Sequence, residues 1–255
     1  MSDIRRLFVT GASTGLGQGL ADHYARAGAH LGLVARRESL LRELEKEWTG
    51  RGARVEVYAG DVADTGFMAR SAQAFVVAAG GVDLVLANAG VAIAHRVLEG
   101  ESRDIAWLMS VNAIGVTNTV VPFIPAMLKQ GSGVLCAVSS SAGHRPLPGR
   151  AAYSASKACV TSFMTSLRMD LHGTGVHAMT LCPGFVHTPL TEGQKGMMFA
   201  IDVPRAVGYM VGAIESRKRT YTYPWQMKLL KEVMARVPES VIRRLAPPPR
   251  TSSSS

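Results

Sequence analysis

The sequence predicts a single α/β domain with a doubly wound parallel β-sheet that is covered by helices on both faces. Short apolar, β-branched runs alternate six times with longer segments of helical character, which is the pattern of successive strand–helix units. The 255 residues, 47% of them hydrophobic, are enough to bury one complete core. The six predicted strands are residues 7–9, 31–34, 55–58, 82–86, 134–138 and 176–181, and the stretch 221–225 could close the sheet as a last strand.

The ends of the predicted strands indicate where a ligand would bind. Crossovers between parallel strands are right-handed, and such sheets bind ligands at the carboxyl ends of their strands, where the strand order reverses. The loops after five of the strands should therefore meet in one cleft. These loops follow Val9, Val34, Leu86, Val138 and Leu181.

A glycine-rich segment, Thr-Gly-Ala-Ser-Thr-Gly-Leu-Gly, follows the first strand directly at residues 10–17. Glycines let the backbone turn sharply and approach a pyrophosphate, and the free N–H groups at the start of the next helix attract its charge. The spacing differs from Gly-x-Gly-x-x-Gly, so the segment taken alone could also be an ordinary turn. The predicted phosphate-binding residues are Gly11, Ser13, Thr14, Gly15, Leu16 and Gly17.

This segment resembles the glycine motif of the classical short-chain dehydrogenases/reductases, and further landmarks of that family follow in order over roughly residues 4 to 190. The resemblance implies a Rossmann-type fold, a bound nicotinamide dinucleotide, and pairing of subunits through long helices into a homodimer or homotetramer. It assigns Asp61 and Val62 to contact with the adenine. The other cofactor residues that it implies are Asn88, Ala89 and Gly90 beside the sheet, and Pro183, Gly184, Val186 and Thr188 near the nicotinamide.

The same resemblance implies a catalytic set of Asn112, Ser140, Tyr153 and Lys157. Tyr153 and Lys157 are four residues apart, which places both side chains on one face of a predicted helix. A free tyrosine has a pKa of about 10, so we expect the nearby ammonium and a bound nicotinamide ring to lower it for acid/base catalysis. Ser140 lies just beyond the end of the fifth strand and could donate to a carbonyl oxygen. The resemblance implies that Asn112 holds a water linking Lys157 to solvent.

The choice of cofactor depends on the residues that follow the second strand. An NAD-preferring site needs a carboxylate there, to accept hydrogen bonds from both ribose hydroxyls. The sequence instead has Ala35 at the acidic position, followed by Arg36 and Arg37, whose forked guanidinium groups pair well with phosphate. We therefore predict NADP(H), with Arg36 the safer of the two phosphate ligands because one arginine could simply face solvent.

These residues predict hydride transfer between NADP(H) and a small carbonyl or alcohol substrate, with reduction as the favoured direction. The segment after Gly184 is rich in flexible apolar side chains, which indicates a lipid- or steroid-like substrate unless the side chains pack on the core. A catalytically silent NADP(H)-binding regulator or scaffold is the alternative, and no metal site is predicted. The apolar residues in question are Leu190, Met197, Met198, Phe199 and Ile201, and His144, Arg145 and Arg150 could also face the substrate.

Most of the positive charge lies near the C-terminus. The formal net charge is +9, and residues 216–250 hold nine Lys/Arg against two Glu, without a recognisable nucleic-acid-binding module. Residues 1–224 are predicted to form the catalytic domain, 225–246 a basic amphipathic helix appended to it, and 247–255 a disordered tail. The helix could dock on its own domain or a sister subunit, or rest on a membrane surface. Its predicted packing face comprises Met227, Leu230, Val233, Met234 and Val237.

The cysteines and the hydropathy pattern bear on the location of the protein. No run approaches the roughly 20 consecutive apolar residues that span a bilayer. Cys136, Cys159 and Cys182 are unclustered and have apolar neighbours, which predicts reduced, buried thiols rather than disulfides. We therefore expect a cytoplasmic protein, with association to a membrane left open.

Overall fold

A computed structural model describes residues 4–93, 102–146, 148–194 and 196–245, and it confirms the predicted fold. Seven strands form one sheet in the order β3-β2-β1-β4-β5-β6-β7, and every neighbouring pair is parallel. The order reverses between β1 and β4, which is the predicted position of the cleft. The strands are β1 (Arg6–Thr10), β2 (His30–Ala35), β3 (Arg54–Ala59), β4 (Leu84–Ala87), β5 (Gly133–Val138), β6 (Val176–Pro183) and β7 (Thr220–Tyr223).

Helices cover both faces of the sheet because successive residues of each strand point to opposite sides. In β1, Leu7 and Val9 belong to one buried cluster with α1, α2 and α8, whereas Phe8 belongs to a second cluster with α3, α5 and α7. The helices are α1 (Gly15–Ala25), α2 (Glu38–Thr49), α3 (Thr65–Ala79), α4 (Arg103–Met109), α5 (Gly115–Val120), α6 (Ile124–Gln130), α7 (Ala151–Asp170), α8 (Val203–Glu215), α9 (Trp225–Arg236) and α10 (Glu239–Leu245).

Strand β4 begins two residues later than predicted. The backbone of Val82 exchanges hydrogen bonds with the side-chain amide of Gln130, and the carboxylate of Asp83 accepts from the backbone N–H groups of Arg5 and Arg6. These contacts hold the segment that enters the strand, so regular pairing starts at Leu84.

Helices α4, α5 and α6 form one long rod, Arg103–Gln130, which is joined by a π turn at Ser110–Ile114 and a 3-10 turn at Val121–Phe123. Among the described residues it is the one helix long and apolar enough to cross a membrane. Its side chains Val116, Val120 and Phe123 lie in the core against the sheet, so the rod is a core helix of the domain.

The segment after β7 forms two helices instead of the single helix predicted. Val237 has φ −72° and ψ 126°, because the ring of Pro238 disfavours the helical conformation in the residue before it. Helix α9 docks on its own domain through Met227, but Val233, which we expected on the packed face, is 53% exposed. The predicted tail at 247–255 lies outside the described residues.

The three cysteines are free thiols, and one of them departs from the prediction. Cys136 and Cys182 are buried in adjacent strands, as expected. Cys159 is exposed on α7, because its position falls on the solvent side of a helix whose other face packs on the sheet.

Candidate active site

One cleft of about 320 Å³ opens at the carboxyl ends of the strands and collects most of the predicted site residues. The loops after β1, β2, β4, β5 and β6 all contribute to it, as the strand order predicts. The predicted residues that line it are Gly11, Ser13, Thr14, Gly15, Leu16, Arg36, Arg37, Asp61, Val62, Asn88, Ala89, Gly90, Ser140, Tyr153, Lys157, Pro183, Gly184, Val186 and Thr188.

The glycine segment forms a tight cradle at the start of α1. Gly11 and Gly15 have φ values of +67° and +63°, a conformation that glycine adopts without strain. A Cβ on Gly17 would lie 2.4 Å from the carbonyl oxygen of Gly11, so Gly17 lies behind the cleft and permits this close packing. Thr14 makes no side-chain cap, and the first turn of α1 carries no acidic residue. The N–H groups there suit a phosphate, so the cradle fits the pyrophosphate of a dinucleotide.

Asn88 fixes this cradle to the sheet. Its side-chain nitrogen donates to the carbonyl oxygens of Thr10 and Gly11, each at 3.2 Å. The hydroxyl of Thr10 in turn accepts from the backbone N–H groups of Asn88 and Ala89, at 3.2 and 3.3 Å. Sequence reasoning missed Thr10, although its place directly before the first glycine is a usable signal.

The two arginines after β2 lie at the edge of the cradle, and both are exposed. The guanidinium of Arg37 donates to the hydroxyl oxygens of Ser13 and Thr14, at 3.1 and 3.3 Å. The guanidinium of Arg36 lies over the ring of Trp107, 5.9 Å from its centroid, which is a cation–π geometry. Trp107 is a second contact that the sequence did not indicate, since it comes from the distant helix α4.

The turn after β3 is held from two sides. The Asp61 carboxylate accepts from the backbone N–H of Ala63 at 2.9 Å, and the side chain of Asn118 on α5 donates to the carbonyl oxygen of Val62 at 2.9 Å. Sequence reasoning also missed the contact from Asn118. A buried asparagine within an apolar helix is the signal that could have revealed it.

Tyr153 and Lys157 project from α7 toward the end of β5, where Ser140 lies. The Lys157 ammonium lies 5.8 Å from the centroid of the Tyr153 ring and donates to the carbonyl oxygen of Val138 at 3.0 Å. The Ser140 hydroxyl accepts from the backbone N–H of Ala142 at 3.2 Å, and it also forms a hydrogen bond with Tyr153.

The pKa of Tyr153 does not move in the direction that we expected. Burial raises the pKa of this phenol, and the hydrogen bond with Ser140 and the charge of Arg150 only partly offset the effect. Burial also lowers the pKa of Lys157, to about 8. The sequence argument allowed for the charge of Lys157 but not for the cost of enclosing both groups in a low-dielectric site.

Asn112 lies behind the cleft, in the π turn of the rod. Its side chain is fully buried, accepts from the backbone N–H of Val91 at 2.7 Å, and donates to the Val91 carbonyl oxygen at 2.9 Å and to the Ser156 hydroxyl at 3.2 Å. A Cβ on Gly90 would lie 3.3 Å from the Asn112 oxygen and 3.5 Å from the Lys157 nitrogen, so both polar atoms face this glycine. A water held by Asn112 for Lys157 stays a prediction.

Ser139, next to Ser140, has a structural role. Its buried hydroxyl donates to the carbonyl oxygen of Lys157 at 2.8 Å and lies 2.9 Å from the hydroxyl of Thr161. These bonds tie the end of β5 to α7 and fix the distance between the turn that carries Ser140 and the helix that carries Tyr153.

The cleft also has apolar side chains in its lining. Val91, Val186 and Leu190 line it, whereas Ile201 is buried in the core. The other predicted substrate residues do not line the cleft. Met197 lines a separate shallow pocket, and Met198 and Phe199 are exposed. The His144 ring nitrogen lies 3.6 Å from the Cys182 sulfur, Arg145 donates to the carbonyl oxygen of Val237, and Arg150 precedes α7.

The chain is similar in sequence and in fold to known oxidoreductases. A family model described as short chain dehydrogenase matches residues 5–197. An uncharacterised oxidoreductase of Myxococcus xanthus is 38% identical over 88% of both chains, and a sulfoacetaldehyde reductase of Chromohalobacter salexigens is 36% identical over 74% of this chain and 76% of its own. A short-chain dehydrogenase/reductase of Burkholderia phymatum, solved with NAD, is 25% identical over the whole of both chains, with a TM-score of 0.84.

The parallel sheet and these relatives define the class of protein, a Rossmann-type oxidoreductase. The family model spans about three quarters of the chain and covers the strands β1 to β6 that form the cleft. The chain belongs to the short-chain dehydrogenase/reductase family.

Proposed function

We propose that the protein is an NADP(H)-dependent carbonyl reductase that acts on an apolar ketone or aldehyde and can run in reverse as an alcohol dehydrogenase. The observation that carries the proposal is the convergence of Tyr153, Lys157 and Ser140 on the same cleft as the phosphate cradle. A proton donor beside a dinucleotide site is what carbonyl reduction requires. The apolar lining from Val91, Val186 and Leu190 favours an apolar substrate.

Each residue of the proposed catalytic set has its own role in reduction of the carbonyl group. NADPH, when bound, would supply the hydride to the carbonyl carbon. The Tyr153 hydroxyl donates its proton to the carbonyl oxygen, and the Ser140 hydroxyl donates a hydrogen bond to the same oxygen as negative charge develops on it. The Lys157 ammonium stabilises the phenolate that remains. Asn112 holds the loop at Val91 by hydrogen bonds to both backbone groups of that residue, and its proposed relay of protons through Lys157 would return a proton to Tyr153.

The proposal is tested by following NADPH absorbance with purified protein and a panel of ketosteroids, acyl ketones, retinoid-like aldehydes and sugars. We expect NADPH to be consumed only when a carbonyl compound is present, and faster with the apolar members. Tight binding of NADPH without consumption by any member would contradict the proposal and support a catalytically silent NADP(H)-binding regulator or scaffold.

The preference for NADP(H) over NAD(H) gives a direct prediction. Replacement of Arg36 and Arg37 together by alanine should lower the ratio of NADPH affinity to NADH affinity at least about tenfold, since two charge-assisted contacts to a 2′-phosphate are lost. Fluorescence titration with both cofactors measures the ratio. Arg42→Ala is the matched control, because this exposed arginine on α2 pairs with Glu38 and Glu45 outside the cleft. An unchanged ratio in the double variant would assign the phosphate contact elsewhere.

We also propose a homodimer that forms through the rod. Ile114, Val121 and Leu128 are 51%, 45% and 44% exposed and lie seven residues apart, the spacing of a seam between paired helices. Ile114→Glu combined with Val121→Glu should give a monomer in light scattering, whereas Val77→Glu, at an exposed valine on α3, should not change the mass. A monomeric wild-type protein, or a double variant that stays dimeric, would exclude this interface.

We also propose that the protein is cytoplasmic. All three cysteines are free thiols, and Cys136 and Cys182 are buried without a disulfide partner. Free thiols are typical of a reducing compartment.

A further inference from the structure

Helix α9 carries an exposed apolar stripe with basic residues along it. Trp225, Leu229 and Val233 are 67%, 58% and 53% exposed, and their spacing of four residues aligns them along one side of the helix. Lys228 and Arg236 are exposed beside this stripe. These five residues are called the α9 face below. We propose that the α9 face docks on an anionic lipid surface.

The α9 face is separate from the side of the helix that stabilises the domain. Met227 points inward, where a Cβ on Gly184 would lie 2.4 Å from its Cγ atom, and Leu230 and Met234 are also partly covered. The packed side therefore already supplies the contacts that α9 makes with β7 and with the turn after Ser140. Trp225, Leu229 and Val233 are still more than half exposed in the isolated chain, so burial of these large side chains is available to a partner.

The charge around the stripe indicates a lipid surface as the partner. Helix α9 holds Lys228, Lys231 and Arg236 against Glu232, so it is net positive, and two copies of it placed face to face would repel each other. An anionic bilayer attracts each cation near its surface, while the apolar side chains enter the boundary of the acyl chains. A tryptophan at the start of the helix suits this boundary, because its ring is apolar and its N–H group is polar.

The α9 face is also joined to the catalytic end of the molecule. Helix α9 begins directly after β7, at the edge of the sheet where the cleft opens, and Met227 contacts the cleft residue Gly184. After the helix ends, the carbonyl oxygen of Val237 accepts from Arg145, which lies in the loop that follows Ser140. Docking would therefore hold the substrate end of the cleft close to the lipid. Delivery of an apolar carbonyl compound from that lipid rests on the proposed function, whereas the docking itself does not.

The test is sedimentation of the full-length protein with vesicles of phosphatidylcholine alone or mixed with phosphatidylserine, without cofactor or substrate. We expect wild-type protein to sediment with the mixed vesicles and less as salt is raised. Trp225→Ser combined with Leu229→Ser and Val233→Ser, and separately Lys228→Glu combined with Arg236→Glu, should each weaken binding at least about tenfold. Val77→Ser, at a valine that is 77% exposed on α3, is the matched control and should bind as wild type does.

Two results would overturn the inference. The first is wild-type protein that stays in solution with the mixed vesicles, or variants of the α9 face that bind as tightly as the Val77→Ser control. The second is a triple variant whose mass in light scattering falls below that of wild type, since a second copy of the chain would then cover the face. Thermal unfolding of each variant shows that it is folded, and because the assay contains no NADPH or carbonyl compound, its outcome is independent of the proposed reaction.

Discussion

Tyr153→Phe is expected to lower turnover by on the order of a hundredfold to ten-thousandfold, the range that a lost general acid costs. The substitution removes one oxygen from a ring that lines the cleft, so the shape of the cleft and the phosphate cradle are kept. The affinity for NADPH should therefore stay close to that of wild type. Steady-state NADPH consumption and fluorescence titration measure the two quantities separately.

Tyr58→Phe is the matched control for this change. Tyr58 is a half-buried tyrosine on β3 that packs against Phe8 and does not line the cleft, so turnover should be retained. If Tyr153→Phe kept full activity, the proton would have to come from another group, and the proposed mechanism would fail at its central step.

Lys157→Met is expected to abolish the pH dependence of stability that a buried ammonium imposes, and to lower turnover as well. Burial lowers the pKa of Lys157 from 10.5 to about 8. Between these two pH values the unfolded chain therefore holds one proton more than the folded chain. The stability of wild type consequently rises with pH across this window, and the full cost of burying the charge is present below about pH 8.

The measurement is chemical unfolding of wild type and Lys157→Met at several pH values. Relative to the variant, wild type should gain roughly 3 kcal/mol of unfolding free energy between about pH 7.5 and about pH 10.5. Lys46→Met, at an exposed lysine of α2, serves as control and should follow wild type at every pH. A constant difference between wild type and Lys157→Met would show that this amine is not buried as the structure has it.

The fold was predictable because its signals are local and repeat along the chain. Each strand is a short apolar run, and the alternation of Leu7 and Val9 with Phe8 follows from strand geometry alone. The cleft followed from the parallel order of the strands, whereas Ser140 and Tyr153 were assigned to it through the resemblance to the short-chain dehydrogenases/reductases. The start of β4 was wrong because it depends on Asp83 and on Gln130, which is distant in sequence.

The parts of the site that could not be predicted depend on contacts between distant elements. Trp107 reaches Arg36 from α4, and Asn118 supports Val62 from α5, pairings that no spacing within the chain reveals. The pKa of Tyr153 depends on burial, which the sequence shows only as a tendency. Helix periodicity likewise placed Val233 on the packed face, because it does not say how wide the partner surface is.

The close packing of the glycine cradle has a consequence for the entropy lost when the dinucleotide binds. A Cβ on Gly11 would lie 2.8 Å from the Asn88 side-chain nitrogen, and one on Gly17 would lie 2.6 Å from the same atom. The glycine segment packs tightly against the Asn88 amide, which is itself hydrogen-bonded to the end of β1, so the segment is held in one conformation. Such preorganisation lowers the entropy loss that a flexible loop suffers on association, so we expect the pyrophosphate to bind with little rearrangement of the loop.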